Sequence, residues 1–164
     1  MERTNPDRVL VLTSYPPRVC GIATYTQDLV TALNRTFKGP LGHTVCALED
    51  GFITRDYPPE VTHTLNTTDA EDHQRLAAEV DNDARISMVW IQHEFGLYHG
   101  GDGSLLLGFL ETLRKPVAIT FHTVLPAPSL ERVATMRALA GRATDVIVLT
   151  QRSAGILRDE YGIA

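Results

Sequence analysis

The sequence predicts an α/β fold, in which a Rossmann-like parallel sheet of about six strands carries helices on both faces. Short β-branched runs alternate with longer segments of helical period along the chain, which is the pattern of strands joined by crossover helices. Most of these runs are apolar throughout, as strands buried on both faces must be. A length of 164 residues, 43% of them hydrophobic, suits one domain rather than two. We therefore expect a single unit over residues 1–164.

Six runs predict the strands of this sheet. They are Arg8–Thr13, His43–Leu48, Val61–Leu65, Ile86–Ile91, Val117–Phe121 and Asp145–Leu149. The stretch from Glu49 to Glu60 contains Gly51 and Pro58-Pro59 and has no period, which predicts an exposed loop.

Four segments between the strands and one after the last strand predict helices. The first carries one apolar stripe, made of Ile22, Tyr25, Leu29, Val30 and Leu33. The second is preceded by Thr68-Asp69-Ala70-Glu71, which has the spacing of a capping box. The third, Ser104–Leu113, is apolar over too broad a face for a surface helix and should be largely buried.

The two remaining predicted helices are defined by their ends. One runs from about Ser129 to Ala140, and Gly141 is expected to end it because glycine tolerates the left-handed cap conformation. The other begins after Thr150 and stops near Tyr161-Gly162.

Charge and composition disfavour several classes of protein. The net charge is −5 and no run of Lys or Arg is present, so nucleic acid is not an expected partner and membrane contact is at most peripheral. No apolar stretch approaches the roughly 20 residues that span a bilayer, and the start lacks a signal peptide, which favours a cytoplasmic chain. Cys20 and Cys46 are too few for a disulfide framework and are interpreted as small hydrophobic thiols.

Polar residues follow three of the predicted strands, where the ligands of open parallel sheets bind. The segments are Pro16-Pro17-Arg18-Val19-Cys20-Gly21, Gln92-His93-Glu94-Phe95-Gly96 and His122-Thr123. Each feature alone has a structural interpretation: a turn at Gly21, a solvated Arg18, a hydrogen-bonded pair of His93 with Glu94, and a satisfied core histidine at His122. Three such junctions on one sheet edge together favour a shared site.

The residue types of this site leave its ligand open. An ionised Glu94 accepts hydrogen bonds through both oxygens, which suits the hydroxyls of a sugar. Imidazoles bind hydroxyls, carbonyls or metals. His93-Glu94 begins like the zinc motif H-E-x-x-H, but four residues rather than two separate Glu94 from His99. A metal site of His93, His99 and His122, in a small metal-dependent hydrolase, is kept as an alternative.

Other nucleotide and hydrolase motifs are missing. A dinucleotide fingerprint G-x-G-x-x-G needs three glycines, and the loop after the first strand has only Gly21. The sequence also has no G-x-x-x-x-G-K-[ST] loop and no G-x-S-x-G elbow. These absences disfavour nicotinamide enzymes, nucleoside triphosphatases and α/β-hydrolases.

Four segments, in order, resemble the N-terminal domain of retaining glycosyltransferases of the GT-B fold, the group 1 (family 4) transferases. They are "YPPRVCGIATYTQDLVTAL", "VWIQHEFGLYHGGDG", "PVAITFHTVLPAPS" and "TDVIVLTQRSAGILRDEYGI", and they cover nearly the entire chain. The resemblance implies transfer of a hexose from a nucleotide-sugar to an acceptor hydroxyl of a sugar, lipid or small molecule. No cofactor beyond this donor substrate, and no metal, is implied.

The resemblance also implies a missing partner domain. In this family the nucleotide-sugar is held by a C-terminal domain with an E-x7-E motif, which has no counterpart in these residues. The chain is then the acceptor-side half of the enzyme, and by itself it should not transfer sugar. A stand-alone sugar or phosphosugar binding module without catalysis is the alternative.

The resemblance assigns a role to each junction. Gly21 matches the second residue of a Gly-Gly pair whose amides approach the donor diphosphate, Cys20 replaces the first, and Arg18 lies in the same loop. His122 corresponds to a histidine of the catalytic cleft that contacts the transferred sugar, and Thr123 follows it. The remaining predicted substrate-binding residues are His93 and Glu94 near the acceptor, and Gly100 and Gly101 at the entrance to the next helix.

Overall fold

A computed structural model describes residues 8–36, 42–51 and 55–164. Its six strands are β1 (Arg8–Thr13), β2 (Gly42–Glu49), β3 (Val61–Asn66), β4 (Ile86–His93), β5 (Val117–Phe121) and β6 (Asp145–Val148). They form one parallel sheet in the order β3-β2-β1-β4-β5-β6. The predicted Rossmann-like α/β fold is confirmed, and each strand lies within two residues of its predicted bounds.

Five α-helices connect and follow these strands. They are α1 (Gly21–Thr36), α2 (Ala70–Asn82), α3 (Leu105–Thr112), α4 (Leu130–Arg142) and α5 (Gln151–Ile156). A 3₁₀ turn (Gly101–Gly103) precedes α3, and a π-helical turn (Leu157–Tyr161) continues α5.

The helices are divided unevenly between the two faces of the sheet. On β1, Leu10 and Leu12 point into the main core, which α2, α3, α4 and the C-terminal turn cover. The alternate residues Val9 and Val11 face Val30 of α1. Helices therefore lie on both faces, as predicted, but only α1 packs on its side within the described part of the chain.

Helix α3 lies deep in the main core. Leu106 and Phe109 are fully buried and Leu110 nearly so, which confirms the buried helix predicted from its broad apolar face. Among the described residues, no helix is both long enough and apolar enough to cross a membrane. Cys20 and Cys46 are unpaired thiols, and the buried Cys46 fits the interpretation as a small hydrophobic residue, whereas Cys20 is only partly buried and makes hydrogen bonds.

The start of α2 differs from the predicted capping box. Asp69, not Thr68, is the N-cap, and its carboxylate accepts from the amides of Glu71 and Asp72. The Thr68 hydroxyl instead donates to the side-chain oxygen of Asn66. A carboxylate is the better cap because its charge also favours the positive end of the helix dipole.

The prediction that Gly141 ends α4 is wrong. The helix begins after Ser129, as predicted, and the Ser129 hydroxyl accepts from the amide of Arg132. Gly141 lies inside the last turn, and the extended backbone of Ala143 ends the helix. The left-handed glycine cap occurs at Gly162, with φ 66°, where the C-terminal helix was predicted to stop.

The prediction of an exposed loop between Glu49 and Glu60 is only partly correct. Glu49 belongs to β2, and residues 52–54 lie outside the described residues. Tyr57 is half-buried and packs against Tyr15, Val45 and Ala47. This segment thus covers the outer end of the sheet beside the loop that follows β1.

Candidate functional site

The candidate site lies where the strand order reverses, between β1 and β4. The chain leaves β1 towards β2 and β3 and then returns to β4 on the other side of β1. At such a switch point the loops at the carboxyl ends diverge and leave a crevice. The three predicted junctions follow β1, β4 and β5, which are neighbours in the sheet, so they share this edge.

The side chain of Cys20 makes hydrogen bonds within the loop after β1. Its sulfur lies 3.0 Å from the Ser14 hydroxyl and accepts the amide of Ala23 at 3.4 Å, so it caps the first turn of α1. Cys20 therefore points back into its own loop.

Gly21 is the first residue of α1 and lies exposed on that turn. A Cβ added at Gly21 would meet nothing within 4 Å, and its backbone is not in the left-handed region. Neither crowding nor backbone conformation requires glycine here, which removes support for interpreting Gly21 as a turn residue only.

Arg18 is half-buried and crosses to the end of β2. Its amide donates to the carbonyl of Tyr15, and its guanidinium Nη1 donates to the carbonyl of Leu48 at 3.3 Å. Arg18 is therefore not simply solvated. It keeps further N–H donors at the carboxyl edge of β1 and β2.

Three hydrogen bonds link side chains at the ends of β4 and β5 on the face that carries α1. The register pairs Trp90 with Ala118 and Gln92 with Thr120. The side chains of Trp90 and Gln92 each bond to a residue two positions beyond the register partner. The pairs are Trp90 Nε1 to Thr120 Oγ1 (2.9 Å), Gln92 Oε1 with His122 Nε2 (2.8 Å) and Thr123 Oγ1 to Glu94 Oε2 (2.6 Å). The last two pairs bring predicted site residues together.

His122 is half-buried at this edge. Its backbone amide donates to the carbonyl of His93 at 3.0 Å, and its ring stands edge-on to Tyr25 of α1 with centroids 4.9 Å apart. Burial lowers the pKa of His122, and the negative charge of Glu94 opposes this shift less strongly. The imidazole is therefore neutral near pH 7.

Glu94 is oriented by two donors. Oε1 accepts the amide of Phe95 at 2.8 Å, and Oε2 accepts the hydroxyl of Thr123. Glu94 thus pairs with Thr123 and not with His93, contrary to the structural interpretation of the His93-Glu94 dipeptide. Because a carboxylate oxygen accepts more than one hydrogen bond, Glu94 retains capacity for ligand hydroxyls.

His93 does not reach the site, although the sequence predicts it as a ligand contact. It is 1% exposed, and its ring lies among Phe95, Tyr98 and Phe121. Neither ring nitrogen has a hydrogen-bond partner, and burial together with the nearby His122 lowers its pKa to about 4. Because strand residues alternate between faces, His93 points into the main core while Gln92 points towards α1.

Of the two glycines before α3, only Gly100 is required by the backbone. Gly100 has φ 82°, whereas a Cβ on Gly101 would meet only the carboxylate end of the flexible Glu131 side chain. Between them and α3, Asp102 forms an ion pair with Arg132 at 2.9 Å, which ties the loop to α4. Gly100 and Gly101 are exposed at the entrance to α3, where they were predicted.

The three histidines proposed as metal ligands are not assembled. His93 is enclosed in the core, His99 Nδ1 lies 3.2 Å from the hydroxyl of Thr67, and His122 pairs with Gln92. No group of three or more His, Cys, Asp or Glu side chains within residues 8–36, 42–51 and 55–164 is arranged to hold a metal ion. The hydrolase alternative therefore has no donor set among these residues.

Sequence reasoning missed three residues of the site. Ser14 follows β1 directly, Tyr25 was assigned only to the apolar stripe of α1, and Gln92 was quoted without a role. Gln92 carries a usable signal, because it is a polar residue within β4 that directly follows the apolar residues 88–91. Tyr25 carries none, since an aromatic residue on a helix stripe is ordinarily part of the core.

Comparison with known proteins does not assign the chain to a family. No protein-family model matches the sequence, and no curated protein matches it significantly.

Proposed function

We propose that the chain is the acceptor-side domain of a retaining glycosyltransferase of the GT-B type, which transfers a hexose from a nucleotide-sugar to an acceptor hydroxyl. The observation that carries the proposal is the convergence of three junctions at the β1–β4 switch point. The first turn of α1, the Glu94–Thr123 pair and His122 belong to the same segments that resemble this enzyme family.

The start of α1 suits a diphosphate. The first amides of a helix have no acceptor within it, and the Ala23 amide is already satisfied by Cys20. The amides of Gly21 and Ile22 remain for an anion, and no Cβ at Gly21 obstructs the approach. Since the Cys20 side chain points away from this surface, its replacement of a glycine leaves the amides accessible.

Glu94 and His122 suit hydroxyl groups. Glu94 is a carboxylate already oriented by Thr123 and Phe95, so it accepts hydroxyl donors without reorganising. His122 is half-buried and neutral, and Tyr25 supports one side of its ring. Together they offer a carboxylate acceptor and a neutral imidazole to the hydroxyls of a sugar.

The proposed reaction relies on charge stabilisation rather than on a strong protein base. In same-face transfer the leaving phosphate takes up the acceptor proton, and the enzyme stabilises the diphosphate that departs. Preorganised amides such as those of Gly21 and Ile22 supply this stabilisation. The carboxylate Glu94 then binds hydroxyls and need not act as a nucleophile.

A fusion of this chain to the C-terminal domain of such an enzyme tests the proposal. We expect transfer from a nucleotide-sugar, and a loss of about 100-fold or more in kcat/KM for His122→Ala, the usual effect of removing a polar group at the reacting centre. His63→Ala, on the outer strand β3, is the matched control and should retain activity. Unchanged transfer in His122→Ala would remove His122 from the cleft.

Binding by the isolated chain, compared with transfer by the fusion, distinguishes the proposal from a stand-alone binding module. Calorimetry of the isolated chain with free sugars and sugar phosphates should show weak binding if a second domain completes the site. Tight binding by the isolated chain, together with no transfer by fusions to several C-terminal domains, would instead favour a binding module.

A further inference from the structure

Gln92 occupies an unusual position for a glutamine. It is 0% exposed at the end of β4, and its side chain lies on the α1 face between the Trp90–Thr120 and Glu94–Thr123 pairs. Its backbone carbonyl accepts the hydroxyl of Tyr98 at 3.3 Å. In this structure the amide turns Oε1 to His122, and its Nε2 is buried without a hydrogen-bond partner among the described residues.

The contact determines which ring nitrogen carries the proton. Gln92 Oε1 lies 2.8 Å from His122 Nε2, and a carbonyl oxygen is only an acceptor. The neutral imidazole must then be protonated at Nε2, because the other tautomer would place two acceptors in contact. Nδ1 is left as an acceptor with a free lone pair.

Nδ1 of His122 is not fully buried. It has no hydrogen bond to any described residue, and it is not among the fully buried polar atoms of those residues. The titratable groups around the ring are Glu94 and His93 at the end of β4 and Tyr25 on α1. Burial of the ring keeps it neutral against the opposing charge of Glu94.

We propose that Gln92 is a positioning residue that holds His122 in the Nε2–H tautomer, so that Nδ1 accepts a hydrogen bond from a ligand hydroxyl. Phosphate and carbonyl oxygens, which are acceptors, are disfavoured at Nδ1. The identification of that hydroxyl as one on a sugar rests on the proposed function, whereas the tautomer does not.

The tautomer is measured directly on the ¹⁵N-labelled chain. A long-range ¹H–¹⁵N correlation spectrum at pH 7.5, with His122 assigned by the signals lost in His122→Ala, should show a protonated Nε2 and an unprotonated Nδ1. A protonated Nδ1 in the unmodified chain overturns the proposal, and this measurement needs no variant of Gln92.

Two substitutions of Gln92 test its role. Gln92→Met keeps the length of the side chain but removes the acceptor, so we expect His122 to populate both tautomers. Gln92→Glu places a carboxylate on Nε2, so we expect the pKa of His122 to rise by at least about one unit. Thr120→Val breaks only the neighbouring Trp90 pair and should leave the His122 signals unchanged. A pure Nε2–H tautomer in folded Gln92→Met would also overturn the proposal.

Activity of the fusion to a C-terminal domain tests the contact of His122 with a ligand hydroxyl, separately from the tautomer. If the proposed function holds, Gln92→Met should lower kcat/KM by about 10-fold, and Gln92→Glu should shift the pH profile to higher pH. An inactive fusion whose isolated chain still shows the Nε2–H tautomer contradicts the proposed function but leaves the role of Gln92 intact. An active fusion with unchanged pH profile in Gln92→Glu contradicts that role.

Discussion

Two histidines at the ends of neighbouring strands have opposite environments. His93 is the last residue of β4 and lies in the main core, while His122 directly follows β5 and lies at the edge under α1. The sequence predicts both as site residues, because each follows an apolar run. The difference follows from the two-residue period of a strand, which sends Gln92 to the site and His93 away from it.

The burial of His93 makes the stability of the protein depend on pH. The pKa of His93 is about 4 in the folded chain and 6.5 when unperturbed, so the unfolded state binds more protons between these values. The contribution of neutral His93 is complete above about pH 6.5 and is lost as the pH falls towards 4. We expect this group to remove about 2 kcal/mol from the free energy of unfolding between pH 7 and pH 5.

Urea denaturation of His93→Phe at pH 7 and pH 5 measures that contribution. Phenylalanine fits among Phe95, Tyr98 and Phe121 and removes two ring nitrogens without partners. Between pH 7 and pH 5, the free energy of unfolding of the variant should therefore fall by about 2 kcal/mol less than that of the unmodified chain. Thr64→Ala, a change at an exposed residue that does not titrate, should keep the original dependence. Equal slopes for His93→Phe and the unmodified chain would show that His93 is not titrating in this range.

At the scale of elements, each helix is stabilised by contacts at its ends as well as by burial of its apolar face. Four of the described helices begin with a side-chain cap, at Cys20, Asp69, Ser129 and Thr150. The motif at α2 allows two registers, with Thr68 or Asp69 as the cap. The competition is decided by the carboxylate of Asp69, which accepts two amides.

The two registers of the α2 cap predict different effects of substitution. Asp69→Ala removes both amide contacts and should lower the free energy of unfolding by about 1 kcal/mol. Thr68→Ala removes only an exposed bond to Asn66 and should cost less than about 0.5 kcal/mol. Chemical denaturation of the two variants side by side checks the ranking, and the reverse order would restore Thr68 as the cap.

The distribution of helices is a second property at this scale. On the face that carries α1, an apolar groove with a volume of about 270 Å³ crosses the sheet, lined by Val9, Leu33, His43, Met88, Trp90, Ala118 and Ile147. Ile147 remains 37% exposed there. The strands of a parallel sheet are apolar on both faces, so their sequence does not indicate which face a given helix covers.

At the scale of the whole molecule, one core joins the two halves of the sheet. The main core contains Leu65 of β3, Leu106 of α3 and Phe121 of β5, with no break between the outer strands. Because a continuous core of this kind unfolds as a unit, we expect a single cooperative transition.

Leu106→Ala tests this continuity. Leu106 is fully buried in α3, so its truncation should lower the free energy of unfolding by about 2–5 kcal/mol. Trp90, the single tryptophan, lies on the opposite face and reports independently of α3. The midpoints from tryptophan fluorescence and from far-ultraviolet circular dichroism should shift together, and separate midpoints would show that the two faces unfold independently.

Much of the fold follows from local pattern. The alternation of strands and helices predicts the α/β class, the parallel sheet, and strand bounds within two residues, because burial on both faces imposes continuous apolar runs. It also places Glu94, His122 and Gly21 at one edge, since all parallel strands end on the same side. The ends of α2 and α4 were less predictable, because neighbouring capping residues compete.

What required the tertiary structure is the choice of partners across the sheet. The period of β4 allows either His93 or Gln92 to face α1, and only the packing of α1 against β1 makes Gln92 the neighbour of His122. Likewise, the sequence allows Gly21 to be a turn residue or part of the shared site, and only the structure shows that neither crowding of an added Cβ nor a left-handed backbone requires glycine there. Local pattern determines which residues reach the edge of the sheet. Long-range packing determines which of them meet, because contacts between strands join positions about 30 residues apart.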